Sequence, residues 1–428
     1  MTALLRTLWH YFRTRRQYFT SRDALERYQQ RQLERFSRRV LAKSPWFSRY
    51  LNTPMTDWPL MDKSLMMKNF DRMNTQGLRS QQLLDIAIQS EKDRDFSRQV
   101  GKFSVGLSSG TSGVRGLFVV SPEEQQLWAG GMLAKMLPDG LFAGERVALF
   151  LRANNNLYQS VNNRWLSLAY YDLFQPYSSH LHPLEQQAPT IIVAPAQVLR
   201  ELALSVQRGE LRLQVKKVIS VAEVLEHQDR LLLTEVFGEV GEVYQATEGF
   251  LAATCRYGVL HLNEEFLHIE PQWLDEHRFT PIITDFTRKT QPIVRYRLDD
   301  VLVAREEKCP CGNPARAIQH IEGRQDDQLI LADIHGQPQT IFADLCSRVL
   351  AISLPLNADY RLTQQGSQTL HLLADCSPDA LEISKLALVA MLDKQGVDTQ
   401  KLCWKLESAA VIPQFDSKRR RIIRKANL

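Results

Sequence analysis

The sequence predicts an α/β protein: a large N-terminal domain with mostly parallel sheets and helices, then a small mobile α+β C-terminal domain. Three observations predict it. From about residue 146, short β-rich runs alternate with helical ones, the pattern of a parallel sheet covered by helices. Over the last hundred residues, paired strands and two isolated helices replace that alternation. The composition, 44% hydrophobic and 24% charged over 428 residues, is that of an ordinary globular chain long enough for two or three domains.

The elements follow in order. Leu4, Leu8, Trp9 and Phe12 share one helical face, and Leu25, Tyr28, Phe36 and Val40 form a second stripe that ends before Pro45. Residues 147–151, 191–193, 218–221 and 242–245 read as strands, and 196–206 and 224–237 as helices. Ligands of such sheets bind beyond the strand C-termini. Near the C-terminus, 342–350 reads as a helix, and 360–363 and 369–373 as strands joined through Gln365-Gly366. Ser377 and Pro378 start a helix as N-cap and first-turn proline. Leu381, Leu388, Met391 and Leu392 give that helix its face, Gly396 ends it, and 402–406 returns as a strand. The expected domains are 1–322, which includes a basic helical segment 1–50, and 323–428.

Charge is uneven. Residues 1–50 hold 12 Lys/Arg against three Asp/Glu, and 411–428 hold six Lys/Arg against Asp416 alone. With the whole chain at +5, the middle is acidic. Basic ends point to nucleic acid, a membrane surface or an acidic partner. Arg6, His10 and Arg13 interrupt any secretory apolar core, and no run approaches the ~18 apolar residues that span a bilayer. Six scattered cysteines complete the expectation of a cytoplasmic chain with reduced thiols and no transmembrane segment.

Three segments carry chemistry. Ser108-Ser109-Gly110-Thr111-Ser112-Gly113 can wrap an anion with backbone N–H and hydroxyl groups, and it lacks the Lys-Ser/Thr of a Walker A loop. Val243-Tyr244-Gln245-Ala246-Thr247-Glu248-Gly249 offers a ring for a purine, and a hydroxyl and carboxylate for phosphate and Mg²⁺. Arg295-Tyr296-Arg297-Leu298-Asp299-Asp300 offers a carboxylate for ribose hydroxyls. Taken singly, these also read as a polar loop, a turn with an exposed glutamate and a charged strand end.

In this order the three resemble the adenylate-forming enzymes: acyl-CoA ligases, luciferases and peptide-synthetase adenylation domains. The nearer resemblance is to phenylacetate–CoA ligase, capsule-biosynthesis adenylating proteins and the synthetases that adenylylate a deazaflavin coenzyme. Three features carry it: Cys309-Pro310-Cys311-Gly312 before Gly323-Arg324-Gln325-Asp326-Asp327, Ser220-Val221-Ala222-Glu223, and Ser417-Lys418-Arg419-Arg420-Arg421. The resemblance implies that Ser108, Ser109, Gly110, Thr111, Ser112 and Gly113 close over the β- and γ-phosphates of ATP. Ala222, Glu223 and Tyr244 would line the adenine pocket, and Asp300 would bind ribose. Thr247 would contact the α-phosphate and Glu248 would hold Mg²⁺. Arg324 would sit at a domain junction with Asp326 or Asp327 as pivot, and Lys418 would be the catalytic lysine. The chain departs from the family pattern at Val114-Arg115-Gly116, at Leu298-Asp299 and at Ser417.

Cys255, His261, Cys309 and Cys311 form a Cys₃His set suited to structural Zn²⁺, and the nearer relatives carry Cys and His at comparable places. The same residues also read as a buried Cys255, a surface His261 and an inert Cys-x-Cys. Asn154-Asn155-Asn156 reads as a polar turn, and His180 and His182 as loop or pocket-rim residues.

The expected activity is activation of a carboxylic acid, aromatic in the first instance, as acyl-AMP, then transfer to a thiol of coenzyme A or an acyl carrier protein. Nucleic acid is not an expected partner, and a homodimer is among the expected states. Two alternatives stand beside it: AMP transfer to a cofactor hydroxyl, and a non-enzymatic protein that binds polyanions or a membrane surface.

Overall fold

The computed structural model describes residues 3–95, 97–108, 115–152, 165–324 and 328–425, with the side chain of Arg324 left aside. The loop residues Ser109 to Val114, Asn154 to Asn156, and Gln325 to Asp327 lie outside the described residues. The chain groups into two compact units: Met1–Asp172 with Gly241–Leu298 and Val303–His320, and Leu173–Val240 with Asp299–Leu302 and Ile321–Leu428.

The first unit begins with helices α1 (Ala3–Arg16) and α2 (Arg22–Arg39), the second capped by Ser21, whose hydroxyl accepts from the Ala24 N–H. Helix α3 (Lys63–Met73) is capped by Asp62 and followed by α4 (Ser80–Asp93). Phe70, Leu83 and Ala87 of these two pack on Phe103, Leu117 and Val119 of a small antiparallel sheet, Gln99–Val100, Phe103–Leu107 and Leu117–Val120. The strands Phe103–Leu107 and Leu117–Val120, on either side of the predicted phosphate segment in sequence, pair antiparallel.

Helix α5 (Pro122–Met136) starts with a capping box between Ser121 and Glu124 and a proline in its first turn. Helix α1 lies along α5 at Gly130, where any Cβ would come within 2.6 Å of the Thr7 carbonyl oxygen. Glu145–Leu151 and Leu166–Asp172 pair in parallel. From Val240 onward this unit pairs antiparallel: Val240–Ala246 with Gly249–Thr254, that strand with Leu260–Leu262, and Leu260–Leu262 with Ala317–Arg324. A second antiparallel run joins Leu267–Trp273, Arg278–Asp285 and Ile293–Arg297. Apart from Leu260–Leu262 with Ala317–Arg324, these pairs are joined by connections too short for parallel crossovers, which need a dozen or more residues.

The second unit begins with helix α6 (Ser178–Gln187), which carries both His180 and His182. These two are helical, not loop residues: His180 is buried, and the His182 ring pairs with Gln186 one turn on. Ile191–Ala194 and Lys217–Val221 pair in parallel, with α7 (Ala196–Gln207) and α8 (His227–Phe237) following them. Helix α8 starts three residues later than its periodicity suggests, because Glu226 is extended and its carboxylate is taken by Tyr360 and Arg421.

The C-terminal part is α+β. Its four-stranded sheet runs Cys403–Ser408, Thr369–Ala374, Tyr360–Gln365, Ile422–Lys425, with only the central pair antiparallel. Helices α9 (Ala343–Ser353) and α10 (Pro378–Lys394) share its core with a hairpin, Leu329–Ala332 and Pro338–Ile341. Ser377 caps α10 and Gly366 turns the central pair at φ +77°. Leu350, Tyr360, Leu362, Leu372 and Leu388 are buried together, each worth about 1.5–3 kcal/mol of apolar burial. Among the described residues no helix is long and apolar enough to cross a membrane.

Candidate functional site

In the first unit, Thr247 and Glu248 are the two turn residues of a β-hairpin closed by the Ala246–Gly249 pair. A bulge between Tyr244 and Gln245 precedes them, a device that re-aims side chains at a strand end. The Thr247 hydroxyl donates to Glu248 Oε2 at 2.8 Å, and Glu248 is buried, not the exposed turn glutamate of the plain reading. Tyr244 is also buried. Gly249 leaves room for Asp285, whose Oδ2 would stand 3.0 Å from a Cβ there.

This turn is tied to the strand that leaves the predicted phosphate loop. Arg288 donates to the Thr247 carbonyl at 3.0 Å and to the Val119 carbonyl at 3.3 Å. Gln291 accepts from the Val119 N–H at 2.8 Å and donates to the Leu117 carbonyl at 3.0 Å. Glu124 holds the segment carrying both, accepting the Lys289 and Thr290 N–H groups and the Thr290 hydroxyl at 2.6–2.9 Å. Burial opposes ionisation of Glu124, but Arg288 and the Thr290 donors keep its carboxyl below the usual range. At the loop base, Ser108 and Gly116 bond each other, N–H to carbonyl and N–H to hydroxyl, both at 2.8 Å. Arg115, one of the residues that depart from the family pattern, is bound to Glu91 and to the Ser108 carbonyl.

Asp285 is fully buried, and burial pushes its carboxyl up to about 6 despite two hydrogen bonds from Thr287. Arg288, Gln291, Glu124 and Asp285 escaped the sequence reading. For Asp285, Arg288 and Gln291 the one signal was the density of polar types over 285–291.

In the second unit, Ala222 has φ +66°, a left-handed conformation uncommon outside glycine. Glu223 follows it and accepts from the Gln197 side-chain amide at 3.0 Å and the Arg419 N–H at 3.3 Å. The same Gln197 amide donates to the Ser417 carbonyl at 2.8 Å. Gln197 and Glu223 thus grip the backbone on both sides of Lys418. Arg419 pairs with Asp229, and Arg421 pairs with Asp359 at 2.7 Å, Glu226 at 2.8 Å and Asp229 at 3.0 Å. Arg200 reaches Asp229 at 3.0 Å and the Ala358 carbonyl at 2.9 Å. Burial works against a charged Asp229, yet Arg419, Arg421 and Arg200 hold its carboxyl well below the usual range. Arg419 and Arg421 are thereby assigned to a buried network, which separates them from Lys418 in a crowded basic run. Asp300 opens the strand Asp300–Ala304, half-buried. Arg324 ends the strand Ala317–Arg324.

Cys255, His261, Cys309 and Cys311 converge, with their ligand atoms all within 4.8 Å of one another. The Cys255 and Cys309 sulfurs are 3.6 Å apart, and Cys311 Sγ is 3.4 Å from His261 Nε2. A tetrahedron with Zn–S bonds of 2.3 Å has edges of about 3.8 Å, so the set fits that ion. Two turns face each other, with Gly258 and Gly312 both at φ +74°. In each, the N–H two residues past a cysteine, Tyr257 or Asn313, points at its sulfur at 3.4 Å. His261 is buried, not on the surface, and its Nδ1 lies 3.1 Å from the Ala315 carbonyl, which leaves Nε2 as the nitrogen that could take a metal. Burial resists charge on Cys255, but His261 and backbone N–H groups outweigh it and lower the thiol to about 6. Burial and the neighbouring sulfurs push Cys311 up to about 11.

No protein-family profile and no curated protein sequence matches this chain. Solved structures do. A 2-hydroxyisobutyryl-CoA ligase in its postadenylation state with 2-HIB-AMP superposes with TM-score 0.67 at 16% identity, over 94% of this chain and 89% of that one. The amide bond synthetase McbA from Marinactinospora thermotolerans gives 0.54 at 12% identity, over 75% and 69%. The anthranilate CoA ligase AuaEII with anthranoyl-AMP gives 0.52 at 12%, over 76% and 67%. The chain has the α/β fold of the adenylate-forming CoA ligases.

Proposed function

We propose that this protein is an ATP-dependent adenylate-forming ligase that activates a small carboxylic acid and passes the acyl group to a thiol, coenzyme A or a carrier protein. The observation that most supports it is the link through Arg288 and Gln291 between the Thr247–Glu248 turn and the strand leaving the Ser/Gly/Thr loop. The turn proposed for phosphate and the strand that follows the Ser/Gly/Thr segment share hydrogen bonds within the first unit.

The reaction joins a carboxylate oxygen to the α-phosphorus and breaks that phosphorus's bond to pyrophosphate. The acid is already ionised at pH 7, so no general base is needed. The difficulty is that two anions must meet, and cationic groups offset the repulsion. In this reading Lys418 supplies the cation, carried by 323–428 as the small domain. Ala222, Glu223 and Tyr244 line adenine, and Asp300 takes the ribose. Thr247 contacts the α-phosphate, and the Glu248 carboxylate is a hard oxygen donor that suits Mg²⁺, which would add charge neutralisation when bound. Cys255, His261, Cys309 and Cys311 would hold Zn²⁺ as a structural ion, since four protein ligands leave no open position.

The test is acid-dependent exchange of labelled pyrophosphate into ATP across a panel of aliphatic and aromatic acids. Exchange that disappears in Lys418→Ala supports the reading, and no exchange with any acid overturns it. For zinc, elemental analysis is expected to give one ion per chain in the wild type and none in a Cys309→Ser/Cys311→Ser variant, with a lower Tm in that variant.

A further inference from the structure

Helix α1 is amphipathic, and its polar side faces inward. Against α5 it buries Thr7 and Tyr11, with His10 packed at Gly130 and Arg15 donating to the Leu137 and Pro138 carbonyls. Outward it presents Leu5 at 53% exposure, Trp9 at 51% and Phe12 at 36%. The patch continues off the helix: Phe12 lies 6.3 Å from Phe142, and Phe142 lies 6.1 Å from Trp165, ring centre to ring centre. Phe142 and Trp165 are themselves 58% and 40% exposed. A contiguous aromatic and aliphatic surface marks an interaction site, not scattered exposure.

Its rim is cationic. Helix α1 contains four arginines and no acidic residue. The Arg13 and Arg16 guanidinium groups sit over the Trp9 and Phe12 rings, 5.3 and 5.8 Å from their centres. Large rings flanked by arginines suit the boundary of an anionic bilayer, where rings enter the headgroup level and guanidinium groups meet lipid phosphates. A second copy of the chain would bring like charges together on this face.

We propose that the face formed by α1, Phe142 and Trp165 docks the protein on the surface of an anionic membrane, without spanning it. The proposal is independent of the adenylation reading.

The experiment is co-sedimentation of the full chain with phosphatidylcholine–phosphatidylglycerol vesicles and with phosphatidylcholine vesicles, combined with tryptophan emission. Binding to the mixed vesicles, weakened by salt and accompanied by a blue shift, is expected. Trp9→Ser/Phe142→Ser should weaken it by at least about tenfold, and Arg13→Gln or Arg16→Gln by about fivefold each. All four residues are exposed, so circular dichroism should be unchanged in the variants. Three results would overturn the proposal: no sedimentation with mixed vesicles, undiminished binding by the double variant, or a wild-type dimer that the double variant abolishes. A variant that loses only binding to an acidic protein, and not to vesicles, would assign the face to that partner instead.

Discussion

Asp285 in the first unit and Asp229 in the second are both wholly enclosed, yet their carboxyls shift in opposite directions. Asp285 meets mainly neutral donors, the Thr287 N–H and hydroxyl, and burial raises it to about 6. Asp229 is ringed by Arg200, Arg419 and Arg421, which overcome the same burial. Enclosure alone therefore does not decide the charge of an acid; the company it keeps does. The difference also separates two ways of building a site. The Thr247–Glu248 turn is set by a local hairpin and braced by neutral bonds. Lys418 lies in a segment without regular structure, fixed by side chains roughly two hundred positions earlier in the chain.

Breaking the Asp229 side should have the largest effect. Asp229→Ala leaves three arginines facing two carboxylates and is expected to cost about 3–5 kcal/mol in urea unfolding at pH 7. Because the folded carboxyl lies below its unfolded value, this contribution is present above about pH 4 and is lost as pH falls through the folded value. The gap between wild type and variant should therefore close only in strong acid. Lys418→Ala should lower the rate of adenylate formation about 10²–10³-fold with little change in Tm, the usual size for one preorganised electrostatic group. Pyrophosphate exchange measures it.

Asp285→Asn should show the reverse pH behaviour. The raised folded carboxyl gives a contribution present below about pH 4 and lost as pH rises through about 6. Relative to wild type, the variant should gain about 3 kcal/mol between those limits in a pH series of denaturation curves. Gln197→Ala should be the smallest change. Losing its bonds to Ser417 and Glu223 should slow adenylation about five- to tenfold, the equivalent of about 1 kcal/mol. The ATP KM should stay unchanged, so a fall in stability without a fall in kcat would make Gln197 merely structural.

The sequence revealed what local chemistry determines. Thr247 and Glu248 sit in a two-residue turn, Ser377 and Pro378 start a helix, and Cys255, Cys309 and Cys311 converge with His261 of the strand Leu260–Leu262. It did not reveal Gln197, Asp229 or Asp359, because their roles exist only once distant segments meet. Arg419 and Arg421 look, in a linear reading, like further candidates for the role proposed for Lys418. Only packing shows that they are committed to carboxylates. His180 and His182, read as loop or pocket-rim residues, lie in α6, which carries Pro183 within it.

Gly130 has a consequence beyond close packing. Successive residues on a helix advance by about 100°, so the absent side chain at 130 fixes the rotational phase of α1. With that phase set, Trp9 and Phe12 point away from the protein. A bulkier residue at 130 would act as a dial, lifting or rolling the helix and turning its aromatic edge elsewhere. Its phenotype would be one of adhesion and solubility before it was one of turnover.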